Sequence, residues 1–560
     1  MQHHHFNIIN RRDFLSTVGK AGVAAALASI ANVPGFLKRA MAEGTIGSGK
    51  KVLFIWLRGA NDSLNSVIPW GDSAYATSRP DIKLPFDAGT TYSTAGIPAD
   101  FPLAGSASTY GNFPFAVRLG NGFAALHPSL KFLAPVYNAG DLALIHRVGY
   151  PKQSRSHFDS QNYWENGNPN NNLSKDGIFY RTILESGLAG IGVTGVSIQN
   201  SLPLILRGSE AALTNLTDPV RYNLLSIPTP TGDPKSDSSI ASANSYAVSP
   251  KMNRDLLRNQ YAGLQQTLNA FAAIDFTENG NAYRDYDVPG DAVGSGITDN
   301  DTAWAAAWGG QGYYLFPTSN DKNGGWRRTP GGAMDGNKYV VNPGHQGFFY
   351  NLKAAALVLA RTSAIIAGTE LGGFDTHLQQ IQNGNSTLGN HADLQRVIGW
   401  SMYALRKFFS NPGYSPNVSW NNLVVVTLSE FGRTTRENND NGTDHAEAGA
   451  MWVAGGAVKG YNKGNPSGVF NCGPSDGIPW VTGGSGSMFG ISGSYLKRNT
   501  DYRSVLGEVI RKHLGATQAQ LNRIIPAYAN EAQEHLLSGG TVTTPIDSVN
   551  TQIRGEVGIL

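Results

Sequence analysis

The stretch from Leu423 to His445, LVVVTLSEFGRTTRENNDNGTDH, gathers Glu430, Arg433, Asp444 and His445 within a few turns of chain. A carboxylate at a strand end, followed by an Asp-His pair on a Gly/Asn-rich loop, suits a divalent metal ion; it equally suits an ion pair that closes a turn. Two further places repeat the pattern. Asp62 follows the apolar run KVLFIWL (51–57), and Asp375 and His377 lie in GGFDTH (372–377). In extended backbone, residues two apart project to the same side, so Asp375 and His377 can face one ion. Ser156 lies in SRSHFDSQ (154–161), just after the strand candidate DLALIHRV (141–148). A hydroxyl at a strand-to-helix transition sits near the positive end of the helix dipole, where it can serve as a nucleophile toward an anionic substrate or simply as the N-cap.

Residues spread over 62–445 converge only if a sheet collects their strands. Leu423, Val424, Val425 and Val426 form a continuous apolar run, β-branched in three places, which reads as a strand buried on both faces of a parallel sheet. Such sheets bind ligands outside the carboxyl ends of their strands, where Asp62, Asp375 and Glu430 would stand. Ser363–Thr369 is the strand before GGFDTH. Helical spacing is kept by Leu130, Phe132, Leu133, Val136 and Tyr137, by 347–360, by Leu394, Val397, Ile398, Met402, Leu405 and Phe408, and over 502–514. A further helix is expected from Met252 to about Phe271. Residues 227–250 read as a polar insertion. From 279 to 343 the chain turns to Gly, Asn, Asp and aromatics (Trp304, Trp308, Tyr313, Tyr314, Trp326), which can stack on carbohydrate or pack within an ordered loop.

Composition narrows the chemistry. The chain has 560 residues, 41% of them hydrophobic and 10% aromatic, enough for a large core, while 67 Gly and 28 Pro indicate many loops. One large α/β sheet with insertions fits this length. The single cysteine, Cys472, allows no intramolecular disulfide and no thiolate cluster, so a metal site must use His and carboxylate; with no base near it in sequence, Cys472 reads as a loop residue. The first 42 residues hold five bases and one acid, so the net charge of +3 leaves the remainder near neutral and gives no electrostatic case for nucleic acid. No 20–50-residue repeat, P-loop, GxGxxG, HExxH or GxSxG occurs. At the N-terminus, Asn10-Arg11-Arg12-Asp13-Phe14-Leu15, the weakly apolar stretch 18–37 and Ala40-Met41-Ala42 read in order as a twin-arginine export signal with its cleavage site. No cysteine at that site offers a lipid anchor.

This set, the leader with Gly59-Ala60-Asn61-Asp62, Ser156-His157-Phe158, GGFDTH, Ser429-Glu430-Phe431-Gly432-Arg433-Thr434 and Gly442-Thr443-Asp444-His445, resembles the exported DUF1501 proteins, which are assigned to the alkaline phosphatase and sulfatase superfamily. The resemblance implies an α/β fold with a doubly wound, mostly parallel sheet and helices on both faces. It would comprise a signal peptide (1–42), one domain (43–538) with insertions at about 205–250 and 279–343, and a C-terminal tail (539–560). It further implies a metal-dependent hydrolase of phosphate or sulfate esters, carbohydrate-linked ones included, exported through the twin-arginine machinery to the periplasm or beyond without a stable membrane anchor. Ser156 would be the nucleophile, and one or two ions of Zn, Mn or Mg would be held by Asp62, Asp375, His377, Glu430, Asp444 and His445. Arg433 would bind the anion or form an ion pair. Phe431 stands where the superfamily has a histidine ligand, and one residue separates Asp375 from His377 where many relatives have three. The alternative is an exported binding or assembly protein that retains the fold.

Overall fold

Alternation along Lys51–Leu57 sets the layering of the molecule. Leu53, Ile55 and Leu57 belong to one buried apolar cluster, and Val52, Phe54 and Trp56 to a second on the opposite face. A strand buried on both sides must have helices above and below it. In this computed structural model the described residues are 46–86, 116–188, 193–219 except 212, short pieces between 267 and 339, 343–476, 478–483, 487–490, 495–529, 535–541 and 552–560. The leader, the 227–250 insertion, most of 279–343 and the helix expected from Met252, apart from a few residues at its end, lie outside them.

Among the described residues, nine strands form the main sheet: β1 (Lys51–Leu57), β2 (Leu142–Gly149), β3 (Gly195–Ile198), β4 (Thr214–Leu216), β5 (Ile366–Leu371), β6 (Leu423–Leu428), β7 (Gly449–Ala454), β8 (Val469–Phe470) and β9 (Thr500–Asp501). Their order is β8-β2-β7-β6-β1-β5-β3-β4, and β9 pairs with β2 off this path. Strands β6, β1, β5, β3 and β4 are mutually parallel, whereas β7 runs antiparallel to both β6 and β2. The fold is therefore mixed α/β around a mostly parallel sheet. β3, β4 and β7 had no clear sequence signal: the first two are only four and three residues long.

One face is covered by α3 (Gln346–Arg361) and α4 (Asn390–Ser410), named after α1 (His157–Asn166) and α2 (Ile178–Glu185), which precede them in the chain. The long stripe of α4, from Leu394 to Phe408, is buried as its spacing predicts. The other face is covered by α2, α5 (Tyr502–Glu508) and α6 (Gln518–Ile524). The helix expected at 130–137 begins as a 3₁₀ turn over Pro128–Leu133, and that expected to 514 relaxes into a π-turn over Val509–His513. Of the stretch expected as an extended tail, the described residues 539–541 and 552–560 return to the second cluster: Gly540–Thr541 pairs with Gln552–Ile553, and Ile559 is fully buried. Burial of Ile553, Val557 and Ile559 stabilises that return. Among the described residues no helix is long and apolar enough to cross a membrane.

Two outcomes test this packing. Gly368 in β5 lies opposite Phe54, and a Cβ there would fall 2.1 Å from the Phe54 ring, so Gly368→Val overpacks the layer and should cost about 1–3 kcal/mol or more in chemical denaturation. Burial holds the imidazoles of His146 (to about 3), His391 (to about 4) and His513 (to about 4) below their ordinary value, and His127 well below it. They are neutral in the fold but protonate in the unfolded chain below about 6.5, so stability should fall as pH drops from about 6.5 towards 4. His513 Nε2 donates to the Lys51 carbonyl at 2.9 Å; His513→Gln, whose side-chain amide can donate there, should flatten the pH dependence of the denaturation midpoint over that window.

Candidate metal centre

Because β6, β1 and β5 are adjacent and parallel, with Trp56 opposite Leu428 and Leu57 opposite Leu371, the chain leaves all three at the same edge of the sheet. Those exits carry Glu430, Gly59 and Asp375. Gly59 makes the closest approach: its φ is +106°, and a Cβ would lie 2.4 Å from the Asp375 nitrogen, so only glycine fits. Since β7 reverses direction, the loop between β6 and β7 returns to this edge, bringing Asp444 and His445; an isolated bridge joins Arg433 to His445. Strand β2 points the same way as β6 and delivers α1, whose first residue is His157.

Four side chains meet there. His157 Nε2 lies 3.0 Å from His445 Nε2, which in turn lies 2.9 Å from His377 Nε2. Asp375 joins all three, with Oδ1 3.1 Å from His377 Nε2 and 3.2 Å from His445 Nε2, and Oδ2 3.5 Å from His157 Nε2. Each imidazole is fixed from behind through its other nitrogen. His157 Nδ1 is 2.8 Å from Glu430 Oε1, His377 Nδ1 is 2.9 Å from Asp444 Oδ1, and His445 Nδ1 is 2.9 Å from the Arg155 carbonyl. Carboxylates and carbonyls only accept, so all three Nδ1 atoms carry the proton. The three Nε2 lone pairs then face one another and a carboxylate. Histidines oriented by acceptors behind them are also how proteins present imidazole to a metal.

The charges agree. Burial opposes ionisation of Asp375, but the Arg433 guanidinium, bonded to its Oδ1, and the neighbouring histidines outweigh it and hold the carboxyl down at about 2. The hydrogen bond to Glu430 raises His157, and burial lowers His445 against the pull of Asp375. Burial opposes ionisation of Asp444 too, and the bonds from His377 and Asn438 lower its pKa overall. The result is an ionised carboxylate beside imidazoles, with the ligand atoms of His157, Asp375 and His445 all within 4.8 Å of one another and His377 against the latter two.

The sequence-predicted residues divide into three groups. Asp375, His377 and His445 meet at one point. Glu430 and Asp444 stand behind, on the far nitrogens of His157 and His377, and Glu430 Oε1 also accepts the Gly59 amide at 2.9 Å. Arg433 is buried, donating to Asp375 and to the carbonyls of Gly59, Ala60, Phe374 and Thr443, so of the two roles open to it the geometry has the ion pair. Asp62 is fully buried and bound instead by Arg79 at 2.7 Å and Gln380 at 2.7 Å; burial opposes its charge, and Arg79 with its bonds lowers its pKa overall. Ser156 is the N-cap of α1, its Oγ accepting the Asp159 amide at 3.4 Å. Cys472 is buried, which pushes its thiol pKa up.

One member of the cluster, His157, was not singled out from sequence as a ligand. Nothing in its spacing links it to residues 375–445; only the topology that places β2 near β6 does so. The usable signal was its position directly after a helix-capping serine at a strand-to-helix turn. Phe431, found where a histidine was expected, packs its ring 4.8 Å from that of His157 and 4.7 Å from that of His445, and so walls the cluster with an apolar face.

No curated protein and no solved structure matches this chain. His157 lies outside the one stretch that is similar to a known family. That stretch, residues 337–463, spans β5, α4, β6 and β7 with Asp375, His377, Glu430, Arg433, Asp444 and His445, and it matches the model of the DUF1501 family, described as a protein of unknown function.

Proposed function

We propose that the protein is an exported, metal-dependent hydrolase of phosphate or sulfate esters on an alkaline phosphatase-like fold, with one divalent ion held by His157, His377, His445 and Asp375. The observation that carries the reading is that His445 Nε2 lies about 3 Å from both His157 Nε2 and His377 Nε2, with all three Nδ1 atoms committed to acceptors. A set rich in imidazole favours Zn²⁺ over the oxygen-seeking Mg²⁺, with Mn²⁺ between them. When bound, the ion would supply positive charge against the anionic transition state. One ion rather than two follows from Phe431 against the cluster and from Asp62 being bound to Arg79.

The chain's own residues take the remaining roles. Ser156, half-buried and next to His157 at the start of α1, attacks the phosphorus or sulfur centre, and the alcohol leaves; water then cleaves the seryl ester. Glu430 and Asp444 fix the imidazole orientations. Arg433 positions Asp375 and the strand ends, and touches no substrate. Export by the twin-arginine route, which carries folded proteins, would let the ion load before secretion. The second reading, an exported binding or assembly protein, is favoured by the structural duties that Ser156 and Arg433 both already perform.

Purified protein should hold about one ion per chain by elemental analysis and should turn over aryl phosphates or aryl sulfates. His445→Ala should lose both ion and turnover. Ser156→Ala should keep the ion and lose at least 10²-fold in kcat; full turnover in that variant removes Ser156 as nucleophile, and an ion without turnover in the parent protein selects the second reading. Gly59→Ala, by pushing the Asp375 backbone, should lower metal occupancy while the protein remains folded by circular dichroism.

A further inference from the structure

One strand over from the histidines, the ends of β3 and β5 and the start of α3 flank an open cleft of about 270 Å³. Its hydrogen-bonding lining is Gln199, Asn200, His345, Asn351 and Glu370, with the edge of the largely buried Phe348 ring beside them. The charge of Glu370 is met by Arg58 Nε at 2.7 Å, and burial lowers the pKa of His345, so the lining is close to neutral. Side-chain amides and a neutralised carboxylate beside an aromatic ring pair with hydroxyl groups, whereas a phosphate or sulfate would find no free guanidinium or ammonium among these residues.

The cavity and the histidine cluster lie along the same edge of the sheet, linked by two chain segments. Leu371 and Gly372 line it, and Asp375 follows three residues later, a span of at most about 11 Å. Arg58, which neutralises Glu370, precedes Gly59, whose amide holds Glu430. At two of the exposed glycines that line it, Gly347 and Gly372, a Cβ would meet nothing within 4 Å. The space beside each is open.

Resting on the ester-hydrolase reading, we infer that this cavity holds the alcohol part of the substrate and that this part is a neutral, polyhydroxylated group, a sugar unit. The anionic ester end points to the histidines and the sugar hydroxyls bond to Asn200, Asn351 and Glu370 at the ends of β3 and β5.

Saturation-transfer NMR on the metal-loaded protein with methyl glycosides of glucose, galactose and N-acetylglucosamine tests this without relying on turnover. Transfer to at least one sugar is expected, with the dissociation constant raised at least tenfold in Asn351→Ala and in Gly347→Leu, which fills the cavity from an open position. Melting temperature and metal content of both variants serve as fold controls. His445→Ala should lose the ion and keep sugar binding, so a failed metal site and a failed sugar site give different results. The inference is overturned if none of the sugars shows transfer, or if both cavity variants retain their fold and bind as the parent does.

Discussion

The placing of His445 Nε2 about 3 Å from both His157 Nε2 and His377 Nε2 is the constraint on which the rest of this site depends. A neutral ring whose Nδ1 proton is held by an acceptor behind it presents only a lone pair in front. A proton on His157, which Glu430 favours, can satisfy the pair with His445, but it leaves His377 and Asp375 facing each other. A second proton would place two imidazolium rings in contact. A single divalent ion, as proposed above, would accept these lone pairs in place of the protons.

The sheet supplies the rigidity this requires. Glu430, Gly59 and Asp375 leave neighbouring parallel strands, and Arg433 ties their exits together through five acceptors, four of them backbone carbonyls. A guanidinium with its donors committed to main chain acts as a clamp. Gly59 lets the Asp375 backbone approach within a distance that any side chain would block. Packing on both faces, with Gly368 fitted under Phe54, keeps β1 and β5 in register, so the ligands of one strand end stay aligned with those of the next.

Much of this was legible in the sequence where one periodicity dominated. Lys51–Leu57 and Leu423–Leu428 are continuous apolar runs with no helical alternative of that length, and the α4 stripe is long enough to fix its face. Asp375, His377 and His445 were readable because each sits in a short polar segment beside a strand or on a Gly/Asn loop. Asp62 occupies an equivalent position in sequence, but Arg79, seventeen residues on, reaches back and takes its carboxylate into a buried pair. His157 is the converse: its role depends on β7 reversing between β2 and β6, a long-range pairing that no local pattern encodes. The distinction between a ligand and a carboxylate standing behind one, as for Glu430 and Asp444, is set by a few ångströms of side-chain placement and not by residue type.

X-ray absorption at the metal edge of the purified protein reads the coordination of this site. One ion coordinated by three imidazole nitrogens and at least one oxygen is expected, with the nitrogen shell reduced or lost in His157→Gln. A protein without a bound transition metal when prepared with one, or an ion whose shell is unchanged by His157→Gln, would contradict the proposed site.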